Sequence, residues 1–192
     1  MKIIGLTGPS GTGKTTVSGV AEKLGFAVID CDKIASEVST NADVLAKLEA
    51  EFGDVVENGI LNRKALAGKA FATKTATEKL NNIMLPPIVE DIKFKVSELE
   101  KSGALKVLLD APTLFESGLD SICDAVIAVL ADEKTRAERI LKRDTLTDEQ
   151  LKKRLLAAKP DMFYLEKTEH IIYNNNDLAE LLKKAKNTLR SV

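Results

Sequence analysis

Histidine occurs once, as His170, and cysteine twice, as Cys31 and Cys123. A zinc site of the Cys/His kind therefore lacks its ligands. Two cysteines so far apart form no CxxC pair, which points to a reduced, cytoplasmic chain and away from a disulfide framework. Neither sign of charge is in excess: 28 Lys and Arg stand against 29 Asp and Glu, for a formal net charge of −1. A nucleic-acid coat or a polybasic membrane anchor needs a long-range field that this balance does not create, so neither partner is expected. No apolar run approaches the length of a membrane span, and there is no repeat or low-complexity tract. Strand-like sequence begins at Lys2, and no signal peptide is expected ahead of it. What remains, at 192 residues, reads as one compact domain, 1–192, acting as a monomer. Folding at that size buries about 70% of the unfolded chain's surface, so neither disulfide nor metal is needed as a staple.

Short apolar runs alternate with longer helical patterns. "KIIGLTG" reads as a buried strand, followed by a helix over 15–24 with Val17, Val20, Ala21 and Leu24 on one face. Gly25 is a plausible stop for it. "FAVID" is a second strand, "ALKVLLDAP" a third, "CDAVIAVLA" a fourth and "HIIYN" a fifth. Residues 41–102 read as mostly helical, broken by a turn at Asn58-Gly59. The tail from Asp177 reads as a docking helix, with Leu178, Leu181, Leu182, Ala185 and Leu189 at helical spacing. Strands rich in Val, Ile and Leu, separated by helices, predict an α/β fold with a parallel sheet covered on both faces. Ligands of such sheets bind beyond the carboxyl ends of the strands.

The segment Gly8-Pro9-Ser10-Gly11-Thr12-Gly13-Lys14-Thr15 fits G-x-x-x-x-G-K-[ST] without a gap, between an apolar strand and an amphipathic helix. Glycines Gly8, Gly11 and Gly13 let the backbone curl so that successive N–H groups, that of Thr12 included, converge on phosphate oxygens. The helix that follows adds its positive end. Lys14 is expected to span the β- and γ-phosphates, the Thr15 hydroxyl to ligate Mg²⁺, and Thr16 to supply a further donor. The alternative is a Gly-rich strand-to-helix turn with a chance lysine; motif and context together favour a nucleoside triphosphate site.

Asp30 and Asp32 follow the second strand. One of them can accept the proton of an attacking hydroxyl, and Asp32 is the preferred base; the alternative is a helix cap with a solvated neighbour. Asp110 ends the third strand, where a carboxylate can hold Mg²⁺ or its waters, or simply cap a turn. Leu114-Phe115-Glu116 follows, an apolar pair beside a carboxylate, which suits either an organic substrate or core followed by surface. Arg136, Arg139 and Arg143 recur at i, i+3 and i+7 on one stripe, with Ala137, Ile140 and Leu141 beside them to pack down. Thr147 and Gln150 read as a capping box that starts a second helix. Two helices carrying a row of guanidiniums over about 133–160 read as a closing lid that stabilises a transferring phosphoryl group, against the alternative of a solvated, salt-bridged helix. A lid that excludes water favours transfer to a bound acceptor over hydrolysis. No N-K-x-D stretch for guanine is present.

The motifs resemble, over nearly the full length, those of the dephospho-coenzyme A kinase family. "GLTGPSGTGKTT" matches its opening, "VIDCDKIASEV" its V-I-D-x-D segment, and "NGILNRKAL" its G-x-L-x-R-x-x-L stretch. "LLDAPTLFESGL" is close to its D-x-P-L-L-F-E segment, and "RILKRDTLTDEQLKKRL" resembles its lid. The resemblance implies Mg-ATP-dependent phosphorylation of the ribose 3′-hydroxyl of dephospho-coenzyme A. It implies Asp32 as base, Arg63 for substrate, and Arg139, Arg143 and Arg154 in the lid. The fold implied is a P-loop kinase: a five-stranded parallel sheet in order 2-3-1-4-5, flanked by helices, with an acceptor-binding helical region over about 41–102. Ser36 stands where the family usually has arginine, Leu85 where histidine precedes proline, Ala158 for a common glutamine, and Tyr173 for an aspartate before Asn174. Two other readings stay open: a kinase of another small metabolite, such as a nucleoside monophosphate, and a nucleotide-binding regulatory protein.

Overall fold

The computed structural model describes residues 1–192. In chain order the elements are β1 (Lys2–Thr7), α1 (Lys14–Lys23), β2 (Ala27–Asp30), α2 (Cys31–Val38), α3 (Ala42–Phe52), β3 (Val56–Glu57), β4 (Ile60–Leu61), α4 (Arg63–Ala70) and α5 (Lys74–Lys101). There follow β5 (Lys106–Asp110), β6 (Ala125–Leu130), α6 (Glu133–Arg143), α7 (Asp148–Leu156), α8 (Asp161–Leu165), β7 (His170–Tyr173) and α9 (Leu178–Ser191). The chain divides into two compact units, Met1–Ile29 with Glu98–Val192, and Asp30–Ser97.

The first unit is built on a five-stranded parallel sheet in the order β2-β5-β1-β6-β7. Counting only these five strands along the chain, that is 2-3-1-4-5, as the resemblance implied. β1 is central: Lys2 to Leu6 pair with Lys106 to Asp110 on one side, and Ile4 to Thr7 with Ala125 to Ala128 on the other. Because successive side chains alternate across a strand, the strands feed two cores. Ile4, Leu6, Leu108, Ile127, Val129 and Ile172 pack with Val17, Val20 and Ala21 of α1 and Leu181, Ala185 and Leu189 of α9. The tail helix docks through Leu181, Ala185 and Leu189, while Leu178 and Leu182 of the expected set stay exposed. On the opposite face Ala128 and Leu130 pack with Tyr164, Phe115, Phe163 and Ile171. Burying each of the large aliphatic side chains contributes about 1.5–3 kcal/mol.

The second unit carries α2 to α4, the β3–β4 hairpin and most of α5. Its hairpin closes in two residues, Asn58 (φ 51°) and Gly59 (φ 75°), with Glu57 opposite Ile60. Positive φ at both positions is what a type I′ turn requires, and Asn-Gly accepts it at least cost. The Glu49 carboxylate anchors the chain just before the hairpin, accepting from the backbone N–H of Asp54, Val55 and Val56. α5 runs 28 residues through Pro86 and Pro87, although neither can donate to the carbonyl four residues back.

Cys31 is buried and Cys123 half-buried. No helix is long and apolar enough to cross a membrane.

Candidate active site

The Gly-rich loop joins β1 to α1, and its shape follows from what holds it. An added Cβ at Gly8 (φ 132°) would stand 2.2 Å from the Val129 carbonyl oxygen, so the loop lies directly on the β6 backbone and only glycine fits. Behind the loop, three of its carbonyls are tied down. Pro9 O accepts from the Thr12 hydroxyl at 3.0 Å, Ser10 O from Arg136 Nε at 3.0 Å, and Thr12 O from Asn174 Nδ2 at 2.7 Å. In a trans peptide the N–H points opposite to the C=O. Holding those carbonyls on one side therefore turns the N–H groups of Ser10, Gly11 and Gly13 to the other, as an anion-binding concavity demands. Gly13, left-handed at φ 102°, is the N-cap of α1 and offers no side-chain oxygen to its first turn, which leaves that positive end to a ligand. Lys14 Nζ donates to the carbonyls of Gly8 (2.8 Å) and Pro9 (3.3 Å), so its ammonium curls over the loop it belongs to. Thr15 is exposed in the first helical turn and Thr16 half-buried.

Asp110, the last residue of β5, accepts a 2.6 Å hydrogen bond from the Ser18 hydroxyl of α1. That contact draws the carboxylate to the helix whose first turn carries Thr15. One hydroxyl and one carboxylate, both hard oxygen donors, fit Mg²⁺, which keeps most of its waters and takes few protein ligands beside substrate phosphates.

The three arginines of α6 share a stripe but not a fate. Arg136 is buried beneath the loop. Arg139 donates to the Asn174 carbonyl (2.9 Å) and side-chain oxygen (3.3 Å), and more weakly to the Asn176 carbonyl (3.5 Å). Arg143 forks onto Asp144 at 2.9 Å through Nε and Nη2, and reaches the Ser10 hydroxyl only at 3.5 Å. Arg154 of α7 closes on the same Asp144 at 2.6 Å. The Arg143 hydrogen bond, aided by Arg154, lowers the Asp144 carboxyl to about 2, while Arg143 itself is raised. Thr147 and Gln150 cap α7 reciprocally, as their spacing predicts. Of the apolar stripe expected to pack down, Ile140 is fully buried, but Leu141 is 44% exposed, so that expectation fails at its edge.

Of Leu114-Phe115-Glu116, Leu114 is fully buried, with its side chain against Gly5 of β1. Phe115 stacks edge-on against Phe163 (5.5 Å), and Glu116 is exposed, 3.9 Å from Lys159.

The second unit has its own cavity, of about 400 Å³. Asp30 caps α2, accepting from the Lys33 N–H at 3.0 Å. Asp32, exposed in that helix's first turn, lines the cavity with Ser36, Ser39, Arg63, Phe71 and Met84. Arg63 Nη2 donates to the hydroxyls of Ser36 (2.9 Å) and Ser39 (2.8 Å). An acid, an oriented guanidinium and an exposed aromatic wall suit a polar ring-bearing metabolite.

Sequence reading gave no part to Ser18, Ser39 or Asn174, and gave Asp144 only that of a salt-bridging neighbour of the α6 arginines. Asn174 had a visible signal, an asparagine run directly after a strand; the others became visible only through their partners.

The family model described as dephospho-CoA kinase matches residues 2–180. A dephospho-CoA kinase of Fusobacterium nucleatum is 36% identical over 185 residues, covering 95% of this chain and 94% of that protein. Among solved structures, a Thermus thermophilus protein superposes with TM-score 0.86 at 27% identity, covering 99% of this chain and 96% of that one. A dephospho-CoA kinase from Campylobacter jejuni superposes with TM-score 0.72 at 28% identity, covering 100% and 97%.

Proposed function

The chain belongs to the dephospho-coenzyme A kinase family, and we propose that it transfers the γ-phosphoryl group of ATP to the ribose 3′-hydroxyl of dephospho-coenzyme A. The observation that carries the acceptor half of this reading is the cavity in which Asp32 and Arg63 stand with Phe71 and Met84. Its contents match a nucleoside carrying an attached anion: an apolar surface for the base, a guanidinium for phosphate, and a carboxylate for the hydroxyl. The loop's inward N–H groups and Lys14 support the donor half. Gly8, Gly11, Thr12, Gly13, Lys14, Thr15 and Thr16 form the nucleotide cradle in this reading.

Asp32 takes the proton of the 3′-hydroxyl as its oxygen bonds to the γ-phosphorus, while the bond from that phosphorus to the bridging oxygen breaks and ADP leaves. Lys14 follows the phosphate charge, and the lid arginines Arg139 and Arg143, within about 133–160, add to it. Thr15 and Asp110 would hold Mg²⁺, which, when bound, neutralises charge on the β- and γ-oxygens. Region 41–102 carries the acceptor, with Arg63 in contact with it; Leu114, expected to touch substrate, is instead core, fully buried against Gly5. The enzyme acts in this reading as a cytoplasmic monomer on the last phosphorylation of coenzyme A assembly. Neither a nucleoside monophosphate kinase nor a regulatory protein is favoured, given the family.

The test is product analysis after incubation with Mg-ATP and dephospho-coenzyme A. Coenzyme A is expected; phosphorylation of a nucleoside monophosphate with none of dephospho-coenzyme A overturns the reading. Asp32→Asn should cut turnover by about 10²–10⁴-fold, the usual contribution of a positioned base, with ATP affinity preserved in a binding titration. Turnover at the wild-type rate removes Asp32 from that role.

A further inference from the structure

Asn174 follows β7 directly and is 5% exposed. Its backbone N–H donates to the Leu130 carbonyl at 2.8 Å, which extends the β6–β7 ladder and fixes the residue at the sheet's end. Its side chain stands between two groups of opposite kind. Nδ2 donates to the Thr12 carbonyl of the phosphate loop at 2.7 Å, and Oδ1 accepts from Arg139 Nη2 at 3.3 Å. Arg139 Nη1 also donates to the Asn174 carbonyl at 2.9 Å, so both ends of that guanidinium face one residue. A carbonyl only accepts and a guanidinium only donates, so the amide lies one way round. Glycine at 13 admits it: a Cβ there would stand 2.6 Å from Nδ2. The Thr12 carbonyl and the Gly13 N–H belong to the same peptide unit and point in opposite directions. Four groups therefore stand in series: the Arg139 guanidinium, the Asn174 amide, the peptide between Thr12 and Gly13, and whatever accepts from the Gly13 N–H. Each amide donates from one end and accepts at the other, and hydrogen bonds chained in this way polarise one another in the same direction. Thr12 is fully buried, so little water screens the chain.

We propose that Asn174 is a positioning residue for the donor nucleotide: it aims the Gly13 N–H at a phosphate oxygen and passes the Arg139 charge to that phosphate through two linked amides. Asn174 acts from behind the loop, on the carbonyl side. An anion that accepts from the Gly13 N–H makes the Thr12 carbonyl a better acceptor, and the Asn174 amide in turn a better acceptor for Arg139. Nucleotide and guanidinium thus strengthen each other across the loop. The proposal rests on the reading of the loop as a triphosphate site and is independent of the acceptor.

The test is equilibrium binding of ATP and of adenosine, without acceptor, to the wild-type chain, Asn174→Ala, Arg139→Ala and the double variant. Asn174→Ala should weaken ATP roughly tenfold, the usual loss when a buried polar group is left unpaired, and leave adenosine unchanged. Arg139→Ala should cost less ATP affinity in the Asn174→Ala background than in the wild-type chain, since part of its effect travels through the amide. A role confined to the fold would weaken ATP and adenosine alike. That result, wild-type ATP affinity in Asn174→Ala, or equal Arg139→Ala costs in both backgrounds overturns the proposal. A wild-type chain that fails to bind ATP refutes the loop reading itself, a distinct outcome. Should Asn174→Ala not fold, proton–nitrogen spectra of the wild-type chain decide. The Asn174 side-chain amide, identified by its proximity to the Gly13 α-protons, should shift downfield along the ATP binding curve and not along that of adenosine. An amide unmoved at ATP saturation, or moved as far by adenosine, sinks the proposal.

Discussion

Single side chains in this molecule gain meaning from their partners more than from their type. The family resemblance implies arginine where this chain has Ser36. Its hydroxyl instead accepts from Arg63, so the cavity holds one guanidinium fixed by Ser36 and Ser39, where an arginine would set a like charge beside it. Replacing both serines by alanine removes two acceptors from Arg63 at about 0.5–1.5 kcal/mol each. For the proposed reaction, steady-state kinetics should show the acceptor KM raised roughly tenfold, with KM for ATP unmoved; a change in the ATP constant instead would argue against Arg63 as an acceptor residue. Cys123 illustrates the opposite case, a side chain silenced by its surroundings. Burial, reinforced by Asp120, Asp124 and Glu169, pushes its thiol up to about 12. Only the thiolate alkylates quickly. Iodoacetamide at pH 8 should therefore label Cys123 far more slowly in the folded chain than in urea, as peptide mass analysis would read out.

At the scale of elements, Asp144 sits where α6 gives way to α7, gripped by Arg143 from one helix and Arg154 from the other. Its carboxyl is lowered from 3.8 to about 2 in the fold. A lowered carboxyl contributes fully above its unfolded value and loses that contribution as pH falls through the folded one. The helix pair should thus loosen between about pH 4 and 2, seen as faster amide exchange over 133–160; Asp144→Asn should abolish that step while loosening the pair at neutral pH. The elements also show which signals a sequence carries on its face. The five strands of the large sheet announced themselves as branched apolar runs, Asn58-Gly59 as a turn though not the two short strands it joins, and the α7 start as Thr147 with Gln150, because each of these depends on local chemistry. The loop was legible for the same reason. What separated Arg136 from Arg139 and Arg143 was not local: spacing put all three on one stripe, and contacts with residues 10, 174 and 144 decided which was buried. Leu141 misled because a helix's apolar stripe ends where its neighbours end.

For the whole molecule, stability of the first unit rests on the two faces of one sheet. Leu108 is fully buried in its middle, between the helices α1 and α9 and the neighbouring strands. Leu108→Ala should cost about 2–5 kcal/mol, read as a lower urea midpoint with an unchanged slope; a shift within error would mean that the core there is far more yielding than its burial implies. The hairpin turn in the second unit has a different bearing, on how the protein ages. Asn58 and Gly59 are exposed, and asparagine before glycine is a place where the side-chain amide is lost to attack by the following peptide nitrogen. The isoaspartyl product threads an extra methylene into the main chain. A loop of two residues has no slack to absorb it, so β3 and β4 should part in stored preparations; isoaspartate found at position 58 by peptide mass analysis with amide protection over 56–61 unchanged would refute this. Shelf life, for this enzyme, is written at the tip of its smallest sheet.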